Sequence, residues 1–142
     1  MASQLGPGRG TDAVMQEPPA AASEVTLTEL TRAISRRSGE LRFATERDLQ
    51  AGVAALLAAE GFTAEPQARL SPLDRPDFLV DGVAVELKVK GGAPELERQV
   101  TRYLGHDQVL AVLVITNRSR HRGLPGQING KPVWVMWIPG AF

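Results

Sequence analysis

A hairpin signal near the middle of the chain constrains the fold more than any other feature. Asp81-Gly82 separates two runs of strand-forming residues. An Asp-Gly pair in this position favours a tight two-residue turn, which sets how the two strands are paired. Counting outward from that turn, Asp77 is opposite Glu86. The sequence therefore predicts an antiparallel hairpin with a defined register.

The same register places acidic and basic side chains on one face of the hairpin. Opposed residues share a face, with Cβ atoms about 4.5–5.5 Å apart, so Asp77 lies beside Glu86. Strand alternation adds Lys88 to that face and turns the intervening apolar residues toward the core. Two opposed carboxylates are destabilising unless positive charge lies between them, which Lys88 or a divalent cation such as Mg²⁺ would supply. The alternative is a solvated strand face with an ordinary surface ion pair.

Other patterns predict the elements before the hairpin. Residues 1–24 are rich in Ala, Gly, Pro and Ser, and we expect a disordered tail there. A short helix is predicted to begin at Thr26. The next helix should follow Thr45, whose side chain would form a capping box with Asp48, and should end at Gly61.

The remaining elements follow from apolar periodicity and turn residues. In chain order they are a strand over 62–70, the hairpin, a helix over 94–104, a buried strand over 109–116, a polar loop over 117–131 and a strand over 133–138. The sequence therefore predicts a single α/β (α+β) domain over 25–142, with a small mixed β-sheet flanked by helices.

Composition narrows the kinds of site that the chain can form. The 142 residues include no Cys, which excludes disulfides, thiolate metal sites and Cys nucleophiles. His106 and His121 are the only histidines, so any metal ion would be a hard cation with oxygen ligands. We expect His106 at a helix C-terminus and His121 exposed to solvent. No apolar run reaches the roughly 18 residues that span a bilayer, and neither a membrane segment nor a secretory signal is expected.

Pro76-Asp77, followed by Glu86-Leu87-Lys88, resembles the signature of the PD-(D/E)xK nuclease superfamily. That family places an Asp at the end of one hairpin strand and E-x-K on the next. Further similarities on the flanking helices are Glu46 before the hairpin and, after it, the Q-x-x-x-Y motif of RecB-like exonucleases, here Gln99 and Tyr103. The resemblance covers residues 45–116 and implies a restriction-endonuclease-like core in the order αβββαβ. Without the resemblance, Tyr103 is explained as a packing residue and Gln99 as a polar edge residue. Glu46 is then an acid favoured near a helix N-terminus.

The resemblance also implies metal-dependent hydrolysis of phosphodiester bonds. Asp77 and Glu86 would bind Mg²⁺ or Mn²⁺, with the Leu87 carbonyl as a third ligand. Glu46 would act through a bound water or a second metal ion. Lys88 would position the attacking water and offset charge on the scissile phosphate. The helix residues that would orient the substrate strand or Lys88 are Gln99 and Tyr103.

Nucleic-acid contacts need cations, because phosphate neutralisation dominates affinity. The chain carries 16 basic and 16 acidic residues, but none of the acidic residues follows Asp107. The basic residues predicted to contact nucleic acid are Lys90, Arg98, Arg102, Arg118, Arg120 and Arg122. For the last three, a solvated basic turn is the alternative. Trp134 and Trp137 have opposite strand parity, so at most one faces the core, and the other would stack on a base or lie in a dimer interface.

The leading hypothesis is a small Mg²⁺-dependent nuclease, with DNA as the expected substrate. By the same resemblance it would act in the cytoplasm of a bacterial or phage-infected cell, and a homodimer would allow both strands to be cut. The second hypothesis is a non-catalytic module that binds nucleic acid or protein on the same fold. The third is an unrelated α/β domain with an accidental motif. The nuclease hypothesis requires Asp77, Glu86 and Lys88 to converge, with Glu46 and Gln99 nearby. The intact set of Asp77, Glu86 and Lys88 argues against the non-catalytic module.

Overall fold

The computed structural model describes residues 19–138, with side chains from Ser23 onward. Within that range the chain forms three α-helices and six β-strands. In chain order they are α1 (Pro19–Arg37), α2 (Glu46–Ala59), β1 (Glu65–Pro66), β2 (Phe78–Val80), β3 (Val83–Lys88), α3 (Ala93–Leu104), β4 (Ala111–Thr116), β5 (Gln127–Ile128) and β6 (Lys131–Trp137). Short 3₁₀ helices cover Ser38–Glu40 and Ser119–Gly123.

The strands form one mixed sheet in the order β1-β2-β3-β4-β6-β5. Strands β3, β4 and β6 are parallel, and the other pairs are antiparallel. Helices α1 and α2 pack on one face of the sheet, while α3, which connects two parallel strands, packs on the other. Strand β4 lies between them with all six residues buried, as predicted for this apolar run. The predicted mixed α/β class is confirmed.

The Asp81-Gly82 turn has the backbone conformation that a two-residue hairpin requires. Both residues have positive φ, +47° for Asp81 and +83° for Gly82, which identifies a type I′ turn. The observed pairing of β2 with β3 is the predicted one. Continued by one position, that pairing places Asp77 opposite Glu86.

Helix α2 begins with the capping box that its sequence predicts. The Asp48 N–H donates to the Thr45 hydroxyl at 3.1 Å, and the Thr45 N–H donates to the Asp48 carboxylate at 3.3 Å. Gly61, with φ of +86°, follows the end of the helix. Because the box orders the first turn, it also determines where Glu46, the first residue of the helix, is held.

Helix α1 is longer than predicted. It begins at Pro19, seven residues before Thr26, so residues 19–24 are helical and not part of a tail. The alanines that suggested disorder also have the highest helix propensity, and the buried leucines of the next turns anchor the helix. The remainder of the predicted tail, residues 1–18, lies outside the described residues, as does the end of the predicted domain, 139–142.

The predicted strand over 62–70 is reduced to Glu65–Pro66. Two local features end it. Pro66 has no N–H to donate to a neighbouring strand, and Gln67 has a positive φ of +52°, which is incompatible with an extended strand. The remainder of this segment is irregular and leads into β2.

The predicted polar loop over 117–131 contains regular structure. It forms the 3₁₀ helix Ser119–Gly123 and a second hairpin, in which β5 pairs with β6. Asn129-Gly130 makes the turn, with φ of +56° and +73°. This Asn-Gly pair was itself a hairpin signal that the polar composition of the segment obscured. None of the helices within residues 19–138 is long and apolar enough to cross a membrane.

Candidate active site

Two carboxylates are buried side by side at the open end of the hairpin. Asp77 is 7% exposed and Glu86 is 4% exposed, so both are largely removed from water. Lys88 Nζ lies 3.4 Å from Glu86 Oε2, with 23% of the lysine side chain exposed. The three side chains predicted to share a face therefore lie together. The two acids do not belong to a solvated strand face.

The residue before Asp77 explains how the hairpin opens at this point. Continued by two positions, the strand pairing places Pro76 opposite Leu87. This would be a hydrogen-bonded pair, but Pro76 has no N–H to donate to the Leu87 carbonyl. The Leu87 N–H donates instead to Asp77 Oδ2 at 2.8 Å. The Asp77 carboxylate is thus held against β3. It lies next to the Leu87 carbonyl, which receives no hydrogen bond from β2 because Pro76 has no N–H.

Helix α3 contributes two side chains to the acid pair. The Tyr103 hydroxyl donates to Glu86 Oε1 at 2.8 Å, and Gln99 Nε2 donates to the Tyr103 oxygen at 2.9 Å. Residues four apart lie on one helix face, and the buried Val100 packs that side of the helix on the sheet. Burial and the neighbouring Glu86 raise the pKa of Tyr103 above its ordinary value, so the hydroxyl keeps its hydrogen. Gln99 and Tyr103 therefore form one hydrogen-bonded chain that ends on Glu86.

A cleft of about 360 Å³ lies beside this group. Its lining residues are Glu46, Lys88, Lys90, Gly91, Gly92, Glu95, Leu96 and Gln99. Glu46 enters the cleft from the start of α2, and its negative charge acts on Asp77. The structure thus brings the predicted helical acid to the same cleft as Lys88 and Gln99.

Burial and like charge raise the pKa values of both acids. For Asp77, burial raises the pKa above its ordinary 3.8, and the charge of Glu46 adds to the effect. For Glu86, burial and then the charge of Asp77 raise the pKa to about 7, against the opposing effect of Lys88. A proton or a cation shared by the pair would relieve this repulsion.

The pair fits a divalent cation in charge and in donors. Each carboxylate oxygen has one polar partner, Gln67 and Leu87 for Asp77 and Tyr103 and Lys88 for Glu86. Because an ionised carboxylate oxygen has about two acceptor positions, each can still accept a ligand. Residues 19–138 hold no ready-made cluster of three or more acidic or histidine side chains around a metal position. Mg²⁺ does not need one, since it is commonly held by one or two carboxylates and water.

Part of the predicted basic segment is docked on the rim of the cleft. Arg118 Nε donates to the Val89 carbonyl at 2.7 Å, and Arg120 Nε donates to the Gly91 carbonyl at 2.9 Å. Lys90, between those two carbonyls, lines the cleft itself. The segment is therefore not a free turn, because Arg118 and Arg120 are held at the rim of the cleft.

The other predicted basic residues are dispersed. Arg98 and Arg102 line a separate depression on the outer face of α3. Arg102 Nε also donates to Oδ1 of the buried Asp74 at 2.9 Å, which gives it a structural partner. The Arg122 guanidinium lies 5.3 Å from the centroid of the Trp137 ring. Lys90, Arg118 and Arg120 are thus grouped around the cleft, whereas Arg98 and Arg102 are not.

The prediction that His121 is exposed is wrong. Its side chain is fully buried, with Nδ1 at 2.6 Å from the Thr116 hydroxyl and Nε2 at 2.9 Å from the Gly91 carbonyl. A carbonyl only accepts, so Nε2 carries the hydrogen. His106 does follow the end of α3, where its Nε2 lies 3.0 Å from Asp74 Oδ2.

Three residues near these sites had no recognisable sequence signal. Gln67 reaches Asp77 Oδ1 at 3.4 Å, Asp74 pairs with α3, and Thr116 holds the buried histidine. The Asp74–Arg102 contact joins residues 28 apart in sequence. The other two join residues only 10 and 5 apart, but on different elements or loops. Periodicity within one element does not reveal such pairs.

Comparison with known proteins finds no relative of the chain. No family model, no curated protein and no solved structure matches it. The function can therefore be inferred only from the motif residues and their observed arrangement.

Proposed function

We propose that the protein is a metal-dependent nuclease that hydrolyses the phosphodiester bonds of DNA. The observation that carries the proposal is the buried pair of Asp77 and Glu86, with Lys88 beside it at the wall of an open cleft. Burying two like charges together is costly. Their burial side by side is explained if a cation and a phosphate occupy the cleft.

The proposal includes a restriction-endonuclease-like core. Its support is the sequence of elements from α2 to β4, which follows the order αβββαβ. Strands β1 to β4 are neighbours in the sheet in that same order. The acid pair lies where β2 and β3 diverge, and the Q-x-x-x-Y helix α3 packs over it.

The residues of the site share four proposed roles. Asp77, Glu86 and the Leu87 carbonyl would hold the metal ion. The ion, when bound, would lower the pKa of a water molecule and offset the charge of the phosphate. Lys88 binds a phosphate oxygen and positions the attacking water. Glu46 orients water on the α2 side of the cleft. The positioning residues are Tyr103 and Gln99, which hold the Glu86 carboxylate in place.

The experiment that tests the proposal compares two Asp→Asn variants of the same hairpin. Supercoiled, linear, single-stranded and branched DNA are incubated with wild-type protein, Asp77→Asn and Asp81→Asn, in Mg²⁺, Mn²⁺ or EDTA. We expect metal-dependent cutting by the wild type and by Asp81→Asn, because Asn-Gly also forms a type I′ turn. Asp77→Asn should cut none of the substrates and should lose metal binding in calorimetry.

A third variant separates the role of Lys88 from that of the metal ligands. Lys88→Met should lose cutting by at least about 100-fold while metal binding is kept, because it removes a charge that contacts the phosphate. Full activity of this variant would contradict the proposed mechanism. If folded wild-type protein neither cut any substrate nor bound metal, the non-catalytic binding module would replace the nuclease.

A further inference from the structure

We propose that Trp137 and Arg122 form a stacking subsite for one unpaired nucleobase, next to the candidate active site. The inference rests on the proposed function and extends it, because it specifies a substrate with a single-stranded segment. Two independent observations carry it. They are the position of Trp137 in the register of the sheet and its contact with Arg122.

The register aligns Trp137 with the candidate active site. Lys88 on β3 pairs with Thr116 on β4, and Thr116 pairs with Trp137 on β6. These three strands are parallel, so the three residues lie in a row at the carboxyl edge of the sheet and on one face. Because neighbouring strands are about 4.8 Å apart, the Cα atoms of Lys88 and Trp137 are separated by about 10 Å. At a rise of roughly 3.4 Å per nucleotide, a stacked strand needs at least about three nucleotides to cover this distance.

Trp137 presents an accessible aromatic ring at that position. It is 44% exposed, which is high for the largest apolar side chain in the middle layer of an α/β domain. The Arg122 guanidinium covers part of the ring at 5.3 Å from its centroid, in a cation–π arrangement. A planar indole backed by a guanidinium is suited to stack on a base, and the same cation can contact the adjacent phosphate.

The 3₁₀ helix that carries Arg122 is itself joined to the cleft. His121 bridges Thr116, the middle residue of the row, and the Gly91 carbonyl on the rim of the cleft. Arg120 Nε donates to that same carbonyl, which leaves its terminal nitrogens without a partner among the described residues. Because Thr116 is buried beneath this 3₁₀ helix, a strand that runs from Lys88 to Trp137 passes over the helix and its exposed arginines and ends on an aromatic surface.

An unpaired base is the occupant that fits this arrangement. Bases within a duplex are already stacked on both sides, so a ring at the edge of a sheet can reach only an unpaired or terminal base. Stacking on an aromatic ring is tolerant of sequence, since every base has a π-face. The subsite thus selects for single-stranded segments, frayed ends or flaps rather than for a base sequence.

The two tryptophans of the chain provide a matched experiment. Trp134 is 38% exposed but pairs with Leu113, whose side chain lies in the core on the opposite face of the sheet. Trp134→Ala leaves Trp137 as the sole tryptophan, whose fluorescence is excited selectively over that of Tyr103, and Trp137→Ala leaves Trp134. Both are titrated in EDTA with a 12-residue oligothymidylate and with a blunt DNA hairpin, with folding checked by circular dichroism.

We expect oligothymidylate to quench the fluorescence of Trp134→Ala and not that of Trp137→Ala. Trp137→Ala should bind the oligonucleotide about 10-fold more weakly than Trp134→Ala, while the affinities of the two for the hairpin differ by less than about 2-fold. Arg122→Gln should also weaken oligonucleotide binding, compared with Arg32→Gln on helix α1. Equal affinities of the two alanine variants, absence of quenching in Trp134→Ala, or absence of oligonucleotide binding by the wild type would each overturn the inference.

These outcomes are distinct from a failure of the proposed function. Binding in EDTA requires neither metal nor cleavage, whereas the proposed function is decided by the Asp77→Asn comparison. If cutting depends on Asp77 but Trp137 does not affect oligonucleotide binding, only the stacking subsite is wrong. If Trp137 binds the oligonucleotide but no substrate is cut, the nuclease proposal is wrong.

Discussion

The Tyr103 hydroxyl donates to Glu86 Oε1 at 2.8 Å and so connects helix α3 to the acid pair on the hairpin. Tyrosine has a single hydroxyl hydrogen, which is used on the carboxylate. The contact from Gln99 is therefore received by the tyrosine oxygen. The position of the Glu86 carboxylate consequently depends on how α3 packs on the sheet.

Replacing Tyr103 by Phe should reduce activity without unfolding the protein. The ring would still fill its buried site, but Glu86 and Gln99 would each lose a partner. A hydrogen bond to a charged group contributes about 1.5–3 kcal/mol, so we expect a loss of roughly 10- to 100-fold in kcat/KM for cleavage. Glu97→Gln, on the exposed side of the same helix, is the control and should stay within about 2-fold of wild type. Wild-type kcat/KM in Tyr103→Phe would show that the contact does not position Glu86.

Replacing Glu86 by Gln should stabilise the metal-free protein. Burial and Asp77 raise the pKa of Glu86 from 4.5 to about 7 in the folded state, so its ionisation opposes folding at higher pH. At about 1.4 kcal/mol per pKa unit the full effect is about 3 kcal/mol. We expect the free energy of unfolding in urea, at pH 8 in EDTA, to rise by about 1–3 kcal/mol. The gain is smaller than the full effect because the Gln amide loses the ion pair with Lys88. Glu65→Gln on the exposed strand β1 should change little.

The same shift predicts how stability depends on pH without metal. The folded-state pKa of Glu86 lies above the unfolded value, so the folded state binds the proton more tightly. The stability that this group contributes is present below pH 4.5 and is lost as pH rises toward about 7. Unfolding free energies measured across this window in EDTA should therefore decrease more in wild type than in Glu86→Gln. Parallel curves would contradict the assignment.

Asp74 should stabilise the protein through its contacts with α3. Burial raises the pKa of Asp74, but hydrogen bonds from His106 and Arg102 outweigh it and hold the pKa below 3.8. The contribution is present above pH 3.8 and is lost as pH falls through the lower folded-state pKa. Asp74→Asn should cost about 1–2 kcal/mol at pH 7 and less at pH 3. Asp107→Asn, an exposed acid nearby, should cost less than about 0.5 kcal/mol. A cost for Asp74→Asn that stays constant between pH 7 and pH 3 would contradict the assignment.

The Thr116–His121 contact should hold the basic 3₁₀ helix against the cleft. The Thr116 hydroxyl accepts from the Arg118 N–H at 3.0 Å and is hydrogen-bonded to the imidazole Nδ1 at 2.6 Å. Thr116→Val keeps the shape but leaves both groups unpaired, at a cost of about 1–3 kcal/mol. Hydrogen exchange over residues 118–123 should become faster, whereas Thr101→Val on α3 should leave it unchanged. Unchanged exchange in Thr116→Val would show that another contact holds this helix.

Local patterns were sufficient for the elements whose signals lie within a few residues. The Asp81-Gly82 turn, the Thr45 capping box and the apolar run of β4 were all predicted and are all observed. Alanine content did not predict that α1 begins at Pro19. Alanines are common in disordered tails, but they also extend a helix that later leucines anchor on the sheet. At residues 129–130 a turn signal was present, but it was outweighed by the polar composition of the segment.

The sequence by itself determined the hairpin and its register, and with them the face shared by Asp77, Glu86 and Lys88. These follow from turn chemistry and strand alternation, which act between neighbouring residues. Only the tertiary structure decided that both acids are buried, that α3 directs a hydroxyl at one of them, and that β6 places Trp137 in line with the lysine. Burial and contacts between distant elements depend on how the layers pack, and no local pattern encodes that packing.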